Sequence, residues 1–383
     1  MKKSQLFTAF LLCSNLLYLY ADSGDSKTIE TGPVGQESDD WIMPRTEYGQ
    51  PDFQGTWHFG SRTPMQRPRD LGNRQSYSLD EVRELEAGMR GRLDQLAADV
   101  DPDRGAPEAG AVIRQEADDN FLAHYLEPII VPVDGEYRTS VIVDPENGRL
   151  PLRAGFRDYN ARVRASGLGE ADGPEGQPLN GRCIMFGAAV PSLTPIMMNP
   201  NLTIVQNKDY VVITTEMVHD ARIIPLNKTH REVAVPRWMG ESVARWEGDT
   251  LVVHTRHFRP EQSHPMFIAM SDEFELLERY RLTSDNTIRY EFTATDDKAY
   301  TQPVTGVRTI TRNRPNEQVY EFACHEGNYS MASILRGART QELEAELKML
   351  SDDLSEDHGA EQETEMMPEN HHEGHDDEVE RIY

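Results

Sequence analysis

The sequence predicts a mainly β protein, an antiparallel sandwich or up-and-down barrel with a few peripheral helices. Three observations predict it. From about residue 202 to 323, short apolar runs of strand length alternate with turn signals. Within Thr287-Ile288-Arg289-Tyr290-Glu291-Phe292-Thr293 the alternation is strict, so Ile288, Tyr290 and Phe292 share one face. No internal repeat of fixed period is present.

The elements follow in order. Residues 1–21 read as a secretory signal: Lys2 and Lys3, then an apolar run from Leu6 to Tyr20, then Ala21 before a polar stretch. That run is shorter than the roughly 20 residues a bilayer span requires, and no later stretch is long and apolar enough to span. Residues 22–47 form a polar linker. A single β-rich domain is expected over 48–339, opening on a strand near Phe53–Phe59. Ser78-Leu79-Asp80-Glu81 is a capping box for a helical segment near 79–97, with Leu79, Val82, Leu85, Met89 and Leu93 as its apolar stripe. Asp134-Gly135 marks a hairpin between Glu127–Val133 and Arg138–Val143. The strand series then runs Thr203–Gln206, Tyr210–Met217, Ala221–Pro225, Ser242–Trp246, Leu251–His257, Phe274–Leu282, Thr287–Thr293, Val304–Arg312 and Gln318–Ala323. A helix is expected over Met331–Ala338 and a frayed continuation over Glu342–Leu350. The remainder of 340–383 reads as an acidic, His-containing disordered tail.

Charge bounds the partners. The chain has 383 residues and a formal net charge of −26. Phosphate contacts need a basic face, so nucleic acid is not an expected partner. The expected location is the periplasm or the cell exterior. In that oxidising setting Cys183 and Cys324 are either a disulfide or two buried thiols.

No Gly-rich phosphate loop, G-x-S-x-G elbow, H-E-x-x-H or CxxC motif occurs. Four clusters remain. In Glu216–Arg222, a continuing strand would put Glu216, Val218 and Asp220 on one face and Met217, His219 and Ala221 on the other. His219 is then a candidate general acid or base, Asp220 or Glu216 its orienting carboxylate, and Arg222 an anion holder. In Arg237–Thr250, Trp246-Glu247-Gly248-Asp249 reads as a hairpin with a packed indole, and Trp238 and Met239 as residues of a pocket mouth. Asp296–Pro303 reads as a turn and cap, with Tyr300 as a further lining residue. In Cys324–Tyr329, His325 and Glu326 would complete a divalent-metal set with His219 only if the segments converge. The His371–His375 region of the tail is a second loose metal candidate.

Segments Glu216–Leu226, Trp238–Val253, Asp296–Pro303 and Tyr320–Tyr329 together resemble a family of exported bacterial proteins of unassigned function. Pro51–Trp57 and Thr139–Asp144 are similar to further motifs of it. The resemblance spans roughly 48–339 and implies an exported domain, a lipocalin-like β-barrel.

The leading expectation is therefore an exported barrel enzyme. It would do lyase, isomerase or hydrolase chemistry on a small, partly apolar organic molecule; the residues name no cofactor, and a divalent metal ion is a candidate. The alternatives are a non-catalytic periplasmic carrier of a lipophilic or aromatic ligand and a metal-binding protein. A carrier would have an apolar pocket lined by residues such as Trp238, Met239 and Tyr300, and would leave His219 buried and merely satisfied by hydrogen bonds.

Overall fold

In this computed structural model the described residues are 41–97, 129–165, 167–187, 190, 192–194, 198–232, 235–264, 267–313 and 319–364. The signal at 1–21, most of the linker and the end of the tail lie outside them. The strands are β1 (Gly55–His58), β2 (Ser76–Tyr77), β3 (Tyr137–Arg138), β4 (Ile142–Asp144), β5 (Asn201–Gln206), β6 (Tyr210–Thr215) and β7 (Ala221–Pro225). They continue with β8 (Glu241–Glu247), β9 (Thr250–Arg256), β10 (Glu275–Ser284), β11 (Thr287–Thr295) and β12 (Val304–Arg312). The helices are α1 (Leu79–Ala97), α2 (Tyr159–Ala165) and α3 (Ser330–Thr364).

The main sheet runs β7-β6-β5-β1-β12-β11-β10-β9-β8, every neighbour antiparallel. β4 adds to β12 beside β1, and β2 pairs with β3 apart from the sheet. Closure between β7 and β8 is nearly complete. Leu226 bridges Ala244, and Asn227 N donates to Ala244 O at 2.7 Å. The result is a nearly closed antiparallel barrel, consistent with a lipocalin-like fold.

The two-residue alternation explains the interior. β10 turns Leu276, Glu278, Tyr280 and Leu282 inward, and β11 turns Ile288, Tyr290, Phe292 and Ala294. Register sets Tyr290 opposite Tyr280 on one side and Arg308 on the other. Gly306 of β12 faces Phe292, where an added Cβ would lie 2.3 Å from the ring, so only glycine allows this approach. Trp57 on β1 is fully buried, its Nε1–H on Phe53 O at 2.8 Å. Trp246 tilts against Phe53 at 5.7 Å, above the hairpin turn at Gly248.

Several local expectations change. The turn at Asp134-Gly135 forms, both residues in the left-handed region, but its ladder stops at the Val133–Glu136 bridge. Tyr137–Arg138 pairs instead with Ser76–Tyr77. The capping box of α1 is present: Ser78 N donates to Glu81 Oε2 at 2.8 Å, and Glu81 N to Ser78 Oγ at 3.3 Å. Of the α1 stripe only Val82 is buried, while Leu79 and Leu85 stay exposed. Residues 340–364, read as mostly disordered, continue α3 to Thr364. Ala, Glu, Leu and Lys dominate that stretch up to Leu350 and all favour helix. Of the tail histidines, His371, His372 and His375 lie outside the described residues.

Candidate functional site

The predicted catalytic cluster does not assemble as an extended strand. β6 stops at Thr215, and Met217–His219 form a single tight helical turn. Val218 (φ 61°) and His219 (φ 54°) both sit in the left-handed region, which is costly for a β-branched residue. Thr215 pins the turn: its N–H donates to Asp220 O at 2.9 Å and its hydroxyl to Met217 O at 3.0 Å. The face assignments expected for 216–221 therefore do not hold.

The four candidate residues take separate tasks. Glu216 is buried and accepts from Asn201 Nδ2 (2.6 Å), Asn199 Nδ2 (3.2 Å) and Tyr320 N (3.3 Å). It ties loops together. His219 is exposed, and its Nε2 accepts from Phe322 N at 3.0 Å, which assigns the proton of the neutral ring to Nδ1. Burial pushes the Asp220 carboxyl up to about 6. Arg222 points into the barrel.

The segment 319–323, expected as a strand, has no ladder; Glu216 and His219 take its N–H groups at Tyr320 and Phe322. It is fixed further by the Cys183–Cys324 disulfide and by Phe322 edge-on to Phe186 at 5.6 Å. The first and fourth clusters thus become neighbours through this segment. The proposed metal set His219, His325 and Glu326 does not form. His325 and Glu326 are exposed on a turn, and His219 Nε2 already accepts a backbone N–H. Among the described residues no three His, Cys, Asp or Glu side chains group as metal ligands.

The lining residues also separate. Trp238 is half-buried beneath the Arg259 guanidinium, 4.3 Å from the ring centre, and Met239 beside it is half-buried. Tyr300 is a core residue whose hydroxyl donates to Ala269 O. Asp296 accepts from Ser271 Oγ (2.8 Å) and from the N–H groups of Lys298 and Ala299 (both 3.0 Å), so it is a turn cap.

The densest polar arrangement lies inside the barrel. Arg222 forms an end-on fork with Glu278: Nη1 to Oε1 at 3.1 Å and Nη2 to Oε2 at 2.5 Å. Nη2 also donates to Thr255 Oγ1 (3.1 Å) and Ser242 Oγ (3.3 Å). Tyr280 and Tyr290 donate to Glu278 Oε1 at 2.7 and 3.1 Å. Burial works against charge on Arg222, yet Glu278 beside it holds the guanidinium pKa above its ordinary value. Burial, with Glu278 adding to it, pushes both phenols up. Ser192 Oγ lies 3.1 Å from the Tyr280 hydroxyl, and Arg308 Nη1 donates to Ser192 O (2.8 Å) and Thr194 O (2.9 Å). The stretch around 192–194 is thereby stitched to the interior.

A second chain of groups lies between the loop after β7 and the strands β8, β9 and β10. His230 Nδ1 meets Glu241, His230 Nε2 lies 2.8 Å from His254 Nδ1, and His254 Nε2 lies 3.2 Å from Glu275. If each outer nitrogen carries a proton for its carboxylate, the two facing nitrogens need one more between them, because facing lone pairs repel. Burial pushes the pKa of His254 down, against the pull of Glu275. Burial opposes charge on Glu241, but the His230 contact and Arg231 hold its carboxyl below the usual range.

Sequence reasoning missed Glu278, Tyr280, Arg308, Thr255, His230 and His254. One signal was available. Glu278 and Arg308 occupy the inward phase of otherwise apolar strands, between Leu276 and Tyr280 and between Gly306 and Ile310.

No protein family model matches the chain, and no curated protein matches it. The resemblance of residues 48–339 to exported bacterial proteins thus has no matching family model behind it. Among solved structures, the chain is similar to the crystal structure of an asparagine-to-alanine mutant of the fluorescent protein UnaG. The two share 18% identity over 30% of this chain and 72% of that one, at a TM-score of 0.21.

Proposed function

We propose that the protein binds a small, partly apolar organic molecule inside the barrel and acts as its carrier. One observation carries the reading: a hydrogen-bonded polar cluster, Arg222–Glu278–Tyr280–Tyr290, set among apolar side chains on the inner wall of the barrel. Barrels of this kind combine apolar walls with a few placed polar groups, which is what a small-molecule site needs. The Cys183–Cys324 disulfide supports an oxidising compartment, hence export to the periplasm or cell exterior.

The test is titration of the whole chain with the neutral fluorescent probe N-phenyl-1-naphthylamine. The expected result is saturable binding at one equivalent and a raised Tm, since a ligand at 100 times its Kd adds about 2.7 kcal/mol. Unsaturable binding with no change in Tm contradicts the reading. An acid–base enzyme is the second reading, favoured by the strained turn at Val218–His219 next to an Asp220 whose carboxyl is pushed up to about 6. It requires Asp220→Asn to abolish a turnover that the wild-type chain shows.

A further inference from the structure

The barrel interior carries an unbalanced charge. Arg222 and Glu278 neutralise each other, side-chain exposures 4% and 0%. Arg308, 3% exposed, has no such partner. Among the described residues its guanidinium donates to the backbone carbonyls of Ser192, Thr194 and Phe59 and lies 5.9 Å from the Phe59 ring centre, with Tyr290 opposite it in register. No carboxylate among the described residues pairs with it. Carbonyl dipoles satisfy donors but cancel no net charge, and an uncompensated buried cation is costly. Burial accordingly pulls its pKa down to about 10. The Nε–H of Arg308 is buried without an acceptor, and so is the Nε–H of Arg222.

We propose that Arg308 is the receptor for an acidic group of the ligand, which makes the ligand an organic carboxylate. This rests on the carrier reading and narrows its ligand class. A carboxylate has two acceptor oxygens in one plane, matching the side-on edge of a guanidinium formed by Nε and one Nη. One oxygen takes the orphan Nε–H. The other takes an Nη–H now spent on a backbone carbonyl. The negative charge supplies what the carbonyls do not. That Nη–H is the one on Nη2, which rests on Phe59 O when no acid is bound, while Nη1 keeps its bonds to Ser192 O and Thr194 O. Arg222, already matched by Glu278, stays as the fixed wall, with Tyr280 and Tyr290 beside it.

The experiment displaces bound N-phenyl-1-naphthylamine from the whole chain with decanoate and, separately, with 1-decanol. The two share an alkyl chain and differ in the charged end. A hydrogen-bonded charge predicts that decanoate binds about 10- to 100-fold tighter than decanol. Arg308→Gln should still bind the neutral probe and lose that preference, while Arg308→Lys keeps part of it. Equal affinities in the wild-type chain, or a preference intact in Arg308→Gln, overturn the proposal but leave the carrier reading standing. A chain that binds no neutral probe at all overturns the carrier reading and the proposal with it. The wild-type comparison decides even where Arg308→Gln fails to fold.

Discussion

Removing the Arg222 side chain charge is the most informative perturbation of the interior. The Arg222–Glu278 fork joins two almost wholly buried charges at 2.5 and 3.1 Å. With charge centres roughly 4 Å apart, an effective dielectric of about 20 gives an attraction near 4 kcal/mol. Arg222→Met deletes that attraction and strands Glu278, which still accepts from Tyr280 and Tyr290. The expected destabilisation is about 3–5 kcal/mol, or roughly 6–20 °C in Tm at the scale of about 2–4 °C per kcal/mol. The variant should also gain a pH signature. A stranded buried carboxyl has a folded pKa above its unfolded one, so the folded state binds more protons there. Stability of Arg222→Met should then fall as pH rises through that raised value, and its deficit against wild type should shrink in acid. Arg222→Met combined with Glu278→Leu removes both charges and should be strongly non-additive, nearer to wild type than the sum of the singles. Urea unfolding of all four proteins at pH 5 and pH 8 measures the cycle. Single variants within 1 kcal/mol of wild type, or strict additivity, would refute a tightly coupled interior pair.

Four further outcomes follow from other residues. Reducing the Cys183–Cys324 bond, which closes a separation of 141 residues, should cost up to about 5 kcal/mol in urea unfolding with and without reductant. Asp220, raised to about 6, binds its proton more tightly folded than unfolded, so its contribution is full below about 4 and lost as pH rises through 6. Asp220→Asn should match wild type at pH 4 and melt higher than wild type at pH 8. His254 should titrate by NMR below the ordinary histidine value, because burial opposes its charge. His254→Leu should speed amide exchange in the loop carrying His230, whose Nε2 lies 2.8 Å from His254 Nδ1.

The barrel was legible because strand alternation is a local signal: Ile288, Tyr290 and Phe292 read inward from sequence and are inward in the structure. The turns at Asp134-Gly135 and Gly248 were legible for the same reason, since glycine accepts φ values other residues avoid. The interior site was not. Arg222 read as the holder of an anionic group in a site with His219, whereas its charge meets Glu278, 56 residues on, once β7, β9 and β10 curve round one interior. The kink at Val218–His219 breaks the two-residue phase at the point where the site was expected, and no residue there announces a left-handed turn. The 319–323 stretch was apolar enough for a strand, yet side chains of Glu216 and His219 take its N–H groups.

The central measurement is native mass spectrometry of the whole chain isolated without denaturation from the cells that make it. A carrier barrel predicts a population heavier by one small organic acid, released as a free ion when the protein unfolds. A bare chain mass in every charge state, unchanged after incubation with decanoate and with N-phenyl-1-naphthylamine, would contradict it.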